Sequence, residues 1–273
     1  MSLLEKASKV NSLALFVGTG ECNAHCEHCA GVPHRKYAPK QDGMIDEDLI
    51  YKALKECYAK GARRLSLSSS GEPTLSPAAV TKTLELVNKC KQEDIYYSPI
   101  HIYSNGIRIG ENKGFCLEYL WLWRSLGLTS AYITVHDIDN KENARVYGVE
   151  HYPPLELVIS RIHDAGLFMR ANLVLSKESI GTYQKFVSTV ENLIMMGVDK
   201  ISAWPIRDMN DNLDSKLSPP ESELDKMSNW VINHWGIAHR ITLLRENSRV
   251  RYEIGSKLTL FPDGTLSNTW CNH

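Results

Sequence analysis

The sequence predicts an α/β protein whose strands run parallel, and three observations carry this prediction. Short apolar runs alternate with helical segments between residues 12 and 206 of the 273-residue chain. The connections between them are short, and the composition, 43% hydrophobic and 23% charged, is that of an ordinary globular protein. Such alternation is typical of parallel strands joined by helical crossovers. Six units are too few to close the usual eight-fold barrel, which leaves an open partial barrel or a doubly wound sheet.

The first strand and helix set the pattern. Residues 12–18, "SLALFVG", read as a buried strand, and residues 46–61 as a helix with acidic residues at its start and glycine at its end. The later predicted strands cover residues 63–71, 100–106, 130–137, 168–177 and 200–206. The later predicted helices cover residues 76–92, 116–127, 153–166 and 180–197.

The pattern changes after residue 206. A polar loop leads to a predicted helix over residues 221–235, and Asp263-Gly264 between two apolar runs predicts a β-hairpin. We therefore expect a core over residues 1–206 and a small C-terminal α+β appendage over residues 207–273, which covers one edge or mouth of the sheet.

Charge and hydropathy limit the partners and the location. The net charge is −1, from 31 basic and 32 acidic residues, so nothing global attracts nucleic acid or anionic lipid. The basic run "HRK" at 34–36 is more typical of a solvated loop. The N-terminal apolar run is too short for a signal peptide, and no stretch approaches the roughly 18 apolar residues of a membrane span. We expect a cytoplasmic protein without a membrane partner.

Three cysteines crowd the loop after the first strand, "GECNAHCEHCAG" at residues 20–31. Cys22, Cys26 and Cys29 have C-x3-C-x2-C spacing, and an odd total of seven cysteines suits a reducing compartment and a metal site. Ligands of parallel α/β sheets bind at the carboxyl ends of the strands, where this loop begins. Three thiolates can hold a 4Fe-4S cluster by three irons and leave the fourth open. The alternative is a zinc site completed by one of three histidines, His25, His28 or His34.

This spacing after a first strand resembles the radical S-adenosylmethionine (radical SAM) superfamily, and the resemblance covers residues 12 to about 206. It implies a partial (β/α)6 barrel of parallel strands. In that family the amino and carboxylate groups of S-adenosylmethionine chelate the open iron. An electron from the reduced cluster cleaves the sulfonium to methionine and a 5′-deoxyadenosyl radical, which abstracts hydrogen from the substrate. The resemblance thus implies one 4Fe-4S cluster, S-adenosylmethionine, and an electron donor such as flavodoxin or ferredoxin.

A second motif, "SSSGEPTL" at residues 68–75, resembles the Gly-Gly-Glu-Pro stretch of the family. Ser70 stands where the family has its first glycine, while Gly71, Glu72 and Pro73 match. The resemblance implies that the backbone of this loop approaches the cofactor and that Glu72 accepts hydrogen bonds from the cofactor's amino group. A strand-ending Gly-Glu-Pro turn without a ligand is the alternative.

The ends of the third and fourth strands carry further candidates. "YSNG" at 103–106 resembles the family's Thr-Asn-Gly turn, which places Ser104 and Asn105 near the cofactor; a turn without a ligand is the alternative. His136 ends the fourth strand, where family members contact the ribose or carboxylate, although it could be a satisfied turn histidine. Arg145 resembles an arginine aimed at the methionine carboxylate, and a surface arginine is the default.

Three more residues complete the predicted cofactor pocket. Asn172 is polar within the apolar fifth strand and can either face the cofactor or pair with a neighbour. Trp204, with Ile206, is expected to wall the adenine pocket. His28 holds a position that is usually aromatic in the family, beside the adenine and the cluster.

The remaining cysteines have two readings. Cys57, Cys90 and Cys116 lie in helical segments and are expected to be buried free thiols. Cys271 follows the predicted hairpin, which resembles the start of an extension that holds auxiliary clusters, but no cysteine follows it and we expect a single cluster. Because a thiol can return a hydrogen atom to a substrate radical, Cys271 is the candidate catalytic residue; a stray thiol on a frayed terminus is the alternative.

The sequence therefore predicts a radical SAM enzyme whose substrate is a peptide, a small metabolite or an RNA base. Two alternatives keep the same chemistry, namely an activating enzyme of a glycyl-radical protein and an RNA-modifying enzyme. An alternative of another class is a non-catalytic zinc or iron-sulfur binding module.

Overall fold

The computed structural model describes residues 9–38, 43–208, 212–244 and 256–268. Nine strands within these ranges form one sheet. Their bounds are β1 Ser12–Phe16, β2 Arg64–Ser68, β3 Ile100–Ser104, β4 Ser130–Val135, β5 Phe168–Leu175, β6 Lys200–Pro205, β7 Ile241–Leu243, β8 Lys257–Leu260 and β9 Leu266–Ser267. The strand order is β7-β6-β5-β4-β3-β2-β1-β8-β9.

Strands β1 to β7 pair in chain order, and every one of these pairs is parallel. The predicted parallel α/β architecture is confirmed. The connecting helices are α1 Glu47–Ala59, α2 Pro77–Lys89, α3 Ile107–Glu111, α4 Asn140–Tyr147, α5 Leu155–Asp164, α6 Tyr183–Met195, α7 Glu221–Asn233 and α8 Trp235–Ala238. Shorter helical pieces are Val32–Tyr37, Pro73–Leu75, Cys90–Glu93, Lys113–Phe115, Cys116–Leu120 and Trp121–Ser125.

The C-terminal residues extend the sheet at both edges. Strand β7 follows α7 and lies in the predicted β appendage, and it pairs with β6 as a seventh parallel strand, a pairing that the sequence did not predict. Strand β8 pairs in parallel with β1, and β9 returns antiparallel to β8 around the predicted Asp263-Gly264 turn. Strands on both sides of residue 206 thus belong to one sheet, and the division of the chain at this residue stays a prediction.

Helix α4 was also missed, because its eight residues, "NKENARVY", are too polar to show an apolar stripe. Asp139 starts this helix, since its carboxylate accepts from the backbone N–H groups of Lys141 and Glu142. Gly148 ends it with a φ of +63°, in the left-handed region that glycine adopts most easily. Helix α4 brings Tyr147 and Gly148 back over the end of β4.

The two faces of the sheet differ in chemistry. One face belongs to the hydrophobic core and includes Leu65, Leu67, Ile102, Ile133, Leu173 and Ile201, all buried. The opposite face, here called the polar face, carries Ser66, Ser68, His101, Tyr103, Tyr132, Thr134, Arg170, Asn172, Ser202 and Trp204. This strict alternation follows from the two-residue period of a strand. No helix in the described ranges is long and apolar enough to cross a bilayer.

Candidate active site

The cysteine loop leaves β1 at the carboxyl edge of the sheet and packs against the loop after β2. The backbone N–H of Glu72 donates to the carbonyl of Glu21 at 2.8 Å. A Cβ placed on Gly71 would lie 2.1 Å from that same carbonyl oxygen and 2.5 Å from the carbonyl oxygen of Gly20. Position 71 therefore accepts only glycine, because the two loops meet backbone to backbone.

Further contacts fix the rest of the cysteine loop. The amide of Asn105, after β3, donates from Nδ2 to Oδ1 of Asn23 at 2.7 Å and lies 3.9 Å from Sγ of Cys22. The N–H of His25 donates to the carbonyl of Tyr147 at 2.7 Å. The loop is thus held by the chain that follows β2, β3 and β4, and the predicted role of Asn105 near the cofactor stays a prediction.

The three cysteines of the loop are half-buried and free. Burial raises the pKa of the Cys22 thiol, and burial with the neighbouring Cys29 and Cys22 raises that of Cys26 to about 12. Thiols in such surroundings become thiolates only when a cation replaces the proton. A set of soft sulfur donors that needs a cation suits iron or zinc.

Within the described ranges, no three Cys, His, Asp or Glu side chains come close enough to ligate one ion, and the loop cysteines are included in this statement. The soft sulfur donors of Cys22, Cys26 and Cys29 are the ligand type that iron-sulfur clusters use.

Glu72 joins the loops after β2 and β3. Its buried carboxylate accepts three hydrogen bonds, from the N–H of Thr74 at 3.0 Å, the hydroxyl of Ser104 at 2.8 Å and the N–H of Asn105 at 2.7 Å. Burial raises its pKa, and these hydrogen bonds oppose that rise. We predicted that Glu72 accepts from the amino group of the cofactor. In the structure Glu72 accepts from Ser104 and Asn105 and so positions both residues, and its role toward the cofactor stays a prediction.

Replacing Glu72 by glutamine is expected to destabilise the fold almost as much as replacing it by alanine. Both carboxylate oxygens accept from chain N–H groups, so the amide NH₂ of glutamine must face a donor whichever way it turns. We expect a loss of about 3 kcal/mol in the free energy of unfolding, measured by urea titration. Glu85→Gln, at an exposed position of α2, is the matched control. Equal stability of the two glutamine variants would show that Glu72 does not hold the loops together.

His136 lies fully inside the site, at the end of β4. Its ring contacts those of His28 and Tyr147 edge-on, at centroid distances of 5.1 and 4.6 Å. Burial lowers its pKa to about 3, so the imidazole is neutral. The amide oxygen of Asn143 accepts from the His136 backbone N–H at 2.9 Å and holds this strand end in place. Asn143 was not predicted, and nothing in the sequence pattern around it marks it.

Several buried polar atoms around the loop have no hydrogen-bond partner among the described residues. They are both ring nitrogens of His136, Nε2 of His28 and the hydroxyl of Ser70. Buried polar groups in folded proteins are normally satisfied, so such atoms indicate a polar ligand. With the backbone approach at Gly71, they fit a cluster that carries S-adenosylmethionine.

Arg145 forms ion pairs with acidic residues of the chain. Its exposed guanidinium pairs with the carboxylates of Glu142 at 2.9 Å and Glu178 at 3.6 Å, and it also donates to the backbone carbonyl of Glu178. These partners raise its pKa. Arg145 lines a pocket with His25 and His28, and its predicted role toward the carboxylate of the cofactor's methionine stays a prediction.

The other predicted residues fall around the same edge of the sheet. Asn172 is fully buried on the polar face, where its Oδ1 accepts from Nε of Arg170 at 3.0 Å. Trp204 is half-buried near the end of β6, and Ile206 lines the pocket with His28. Pro73 starts the short helix Pro73–Leu75. Cys271 lies outside the described residues, and its role as a hydrogen donor stays a prediction.

Comparisons with known proteins match a family model and several solved structures. A family model described as the Radical SAM superfamily matches residues 16–212. Streptococcus suis SuiB bound to precursor peptide SuiA has a TM-score of 0.67 and 17% identity, covering 98% of this chain and 62% of that one. Native anSMEcpe with bound AdoMet and Cp18Cys peptide has a TM-score of 0.57 and 12% identity, covering 85% and 63%. Methylornithine synthase (PylB) has a TM-score of 0.58 and 13% identity, covering 95% and 75%.

The chain spans less than two thirds of the SuiB and anSMEcpe chains. No curated protein matches the sequence. At these identities, the structural likeness shows the fold, a partial barrel shared with these neighbours.

Proposed function

This chain belongs to the radical SAM superfamily, and from that membership we propose that it is an enzyme that abstracts a hydrogen atom from a peptide or a small metabolite. One observation carries the proposal. The three-cysteine loop is fastened to the chain after β2, β3 and β4 on the side where parallel sheets bind ligands. When bound, the 4Fe-4S cluster with S-adenosylmethionine supplies the 5′-deoxyadenosyl radical.

The residues of this chain would bind and orient those groups. Cys22, Cys26 and Cys29 would hold three irons, and the backbone beside Gly71 would lie close to the cofactor. His136 would offer a neutral imidazole that can donate or accept without carrying charge. Tyr147 stacks on Tyr152 at 5.2 Å behind the loop and excludes water from this side of the site.

The proposed substrate class rests on the solved structures that resemble this chain. SuiB binds the precursor peptide SuiA, anSMEcpe binds the Cp18Cys peptide, and PylB is a methylornithine synthase. These names support a peptide or an amino-acid-like metabolite. The basic run at residues 34–36 gives less support to RNA as the substrate, because His34 is buried. Its ring centroid lies 6.4 Å from that of Phe261.

An electron donor such as flavodoxin or ferredoxin is part of the proposal, because the cleavage consumes one electron. The free buried thiols of Cys57, Cys90 and Cys116 suit a reducing compartment, and we propose the cytoplasm.

Reductive cleavage of S-adenosylmethionine tests the proposed function. Anaerobically reconstituted protein, reduced with dithionite, is expected to form 5′-deoxyadenosine and methionine in equal amounts, as measured by liquid chromatography with mass spectrometry. Protein that holds its full iron and sulfide and forms no 5′-deoxyadenosine would contradict the proposal.

A further inference from the structure

The polar face of the sheet lines a space that the chain leaves partly open. Parallel sheets usually bury both faces under apolar side chains. Here the core-facing residues are buried, while Tyr103, Tyr132, Arg170 and Trp204 on the polar face are only half-buried. Large side chains that face inward and stay accessible indicate a ligand cavity rather than a packed barrel interior.

Arg170 is held in one orientation on this face. Its guanidinium carbon lies 3.6 Å from the ring centroid of Tyr132, and its Nε donates to Oδ1 of Asn172 at 3.0 Å. The Tyr132 ring is itself stacked on His101, at a centroid distance of 4.1 Å, and is met edge-on by Tyr103 at 5.4 Å. The cation is thus fixed from two sides before any ligand arrives.

The guanidinium keeps an unused edge. In the described ranges no carboxylate forms an ion pair with Arg170, unlike Arg145, whose two acidic partners are given above. Nε is engaged by Asn172, so the two terminal nitrogens remain, and their parallel N–H groups match the two oxygens of a carboxylate. Among the described residues, the buried Nδ2 of Asn172 has no hydrogen-bond partner. It is therefore a second donor beside the guanidinium of Arg170.

Basic residues also start two strands near His101. Arg64 and Lys257 stand at the starts of β2 and β8, opposite Ser12 of β1. Burial first, and then the positive charges of Arg170, Lys257 and Arg64, lower the pKa of His101 to about 3. An anion that contacts the Arg170 guanidinium therefore meets a neutral imidazole beside it.

The distance from Arg170 to the carboxyl edge of the sheet sets the length of the ligand. The register aligns Arg170 with Tyr132 and Lys200, and Val174, four residues later, with Trp204. Four strand residues span roughly 13 Å along the sheet. A ligand fixed at Arg170 and extending to the carboxyl edge is the length of a small metabolite or of a few peptide residues.

We propose that Arg170, held by Tyr132 and Asn172, binds a carboxylate group of the substrate on the polar face. The inference rests on the proposed function, because it is the reacting carbon of that substrate which the anchored carboxylate would direct toward the cysteine loop. A single guanidinium flanked by neutral amide and phenol groups suits a singly charged anion better than a phosphate dianion. The carboxylate belongs either to a small metabolite or to the C-terminus of a peptide.

Calorimetric titration of the reconstituted protein tests this assignment. The probes are N-acetyl amino acids and N-acetyl tripeptides, each as the free acid and as the matching amide, together with inorganic phosphate. We expect at least one acid to bind about tenfold more tightly than its amide. Preference confined to the amino acids identifies a metabolite site, and preference that extends to the tripeptides identifies a peptide C-terminus.

Three variants locate the effect. Arg170→Gln is expected to remove the preference for acids. Arg170→Lys is expected to reduce it, because lysine keeps the positive charge but lacks the two parallel N–H groups of the guanidinium. Arg63→Gln is the matched control, since Arg63 also stacks on a tyrosine, Tyr58 at 3.7 Å, but on the outer surface. The iron content of each variant reports whether it has folded.

The inference is overturned if no acid binds better than its amide, if Arg170→Gln keeps the preference, or if phosphate binds more tightly than every acid. The titration needs no turnover. A protein that prefers acids but never cleaves S-adenosylmethionine would refute the proposed function alone, and one that cleaves S-adenosylmethionine without any preference for acids would refute the assignment of Arg170 alone.

Discussion

Alanine in place of Cys22, Cys26 or Cys29 is expected to abolish iron binding and, with it, the formation of 5′-deoxyadenosine. Each thiolate holds a different iron, so a loop with two thiolates leaves the cluster attached at two corners only. The loop cannot shift to recruit another sulfur, because its backbone is fixed at Glu21 and His25. Iron and sulfide analysis after reconstitution, followed by the cleavage assay, measures both losses.

Cys57→Ala is the matched control for these variants. Cys57 lies on the buried face of α1. Its replacement by alanine leaves a small apolar cavity that costs on the order of 1–2 kcal/mol of stability. It is expected to retain full iron and full cleavage. If all three loop variants kept iron and cleavage as Cys57→Ala does, the cluster would have to lie elsewhere.

Gly71→Ala is expected to be the most damaging substitution that removes no functional group. Its Cβ would stand 2.1 and 2.5 Å from two backbone carbonyl oxygens, and neither can rotate away as a side chain could. The loops after β1 and β2 must separate, which breaks the hydrogen bond from Glu72 N–H to the carbonyl of Glu21. We expect a loss of about 3 kcal/mol or more in stability and loss of S-adenosylmethionine binding.

Gly236→Ala provides the comparison. A Cβ at Gly236 meets nothing within 4 Å, and the residue lies in helix α8, where alanine is the better helix former. This variant is expected to match the parent protein or to be slightly more stable. Thermal unfolding and calorimetric titration with S-adenosylmethionine compare the two substitutions. Parent-like values for Gly71→Ala would mean that the close approach of the two loops is not required.

Local signals explain what the sequence could predict. The six parallel strands and the position of the cysteine loop follow from apolar runs, helix ends and turn residues that are neighbours in the chain. The pairings of β8 with β1 and of β7 with β6 join segments that are distant in the chain, so the apolar runs of the appendage do not reveal them.

Side-chain partners were harder to predict than positions. Glu72 and Arg145 have partners in loops distant in sequence, at Ser104 and Glu178. Arg170 had a visible signal, a charged residue two positions before Asn172 in an apolar strand, but its partner Tyr132 lies on another strand.

Electron paramagnetic resonance of the reduced, reconstituted protein, recorded with and without S-adenosylmethionine, is the most direct test of whether the cysteine loop holds a cluster with an open iron. If Cys22, Cys26 and Cys29 hold a 4Fe-4S cluster with one iron open to the cofactor, the reduced protein gives a cluster signal whose shape changes when S-adenosylmethionine is added, because the cofactor becomes a ligand of that iron. A cluster signal that S-adenosylmethionine leaves unchanged, or a metal content of zinc without sulfide, would contradict the claim.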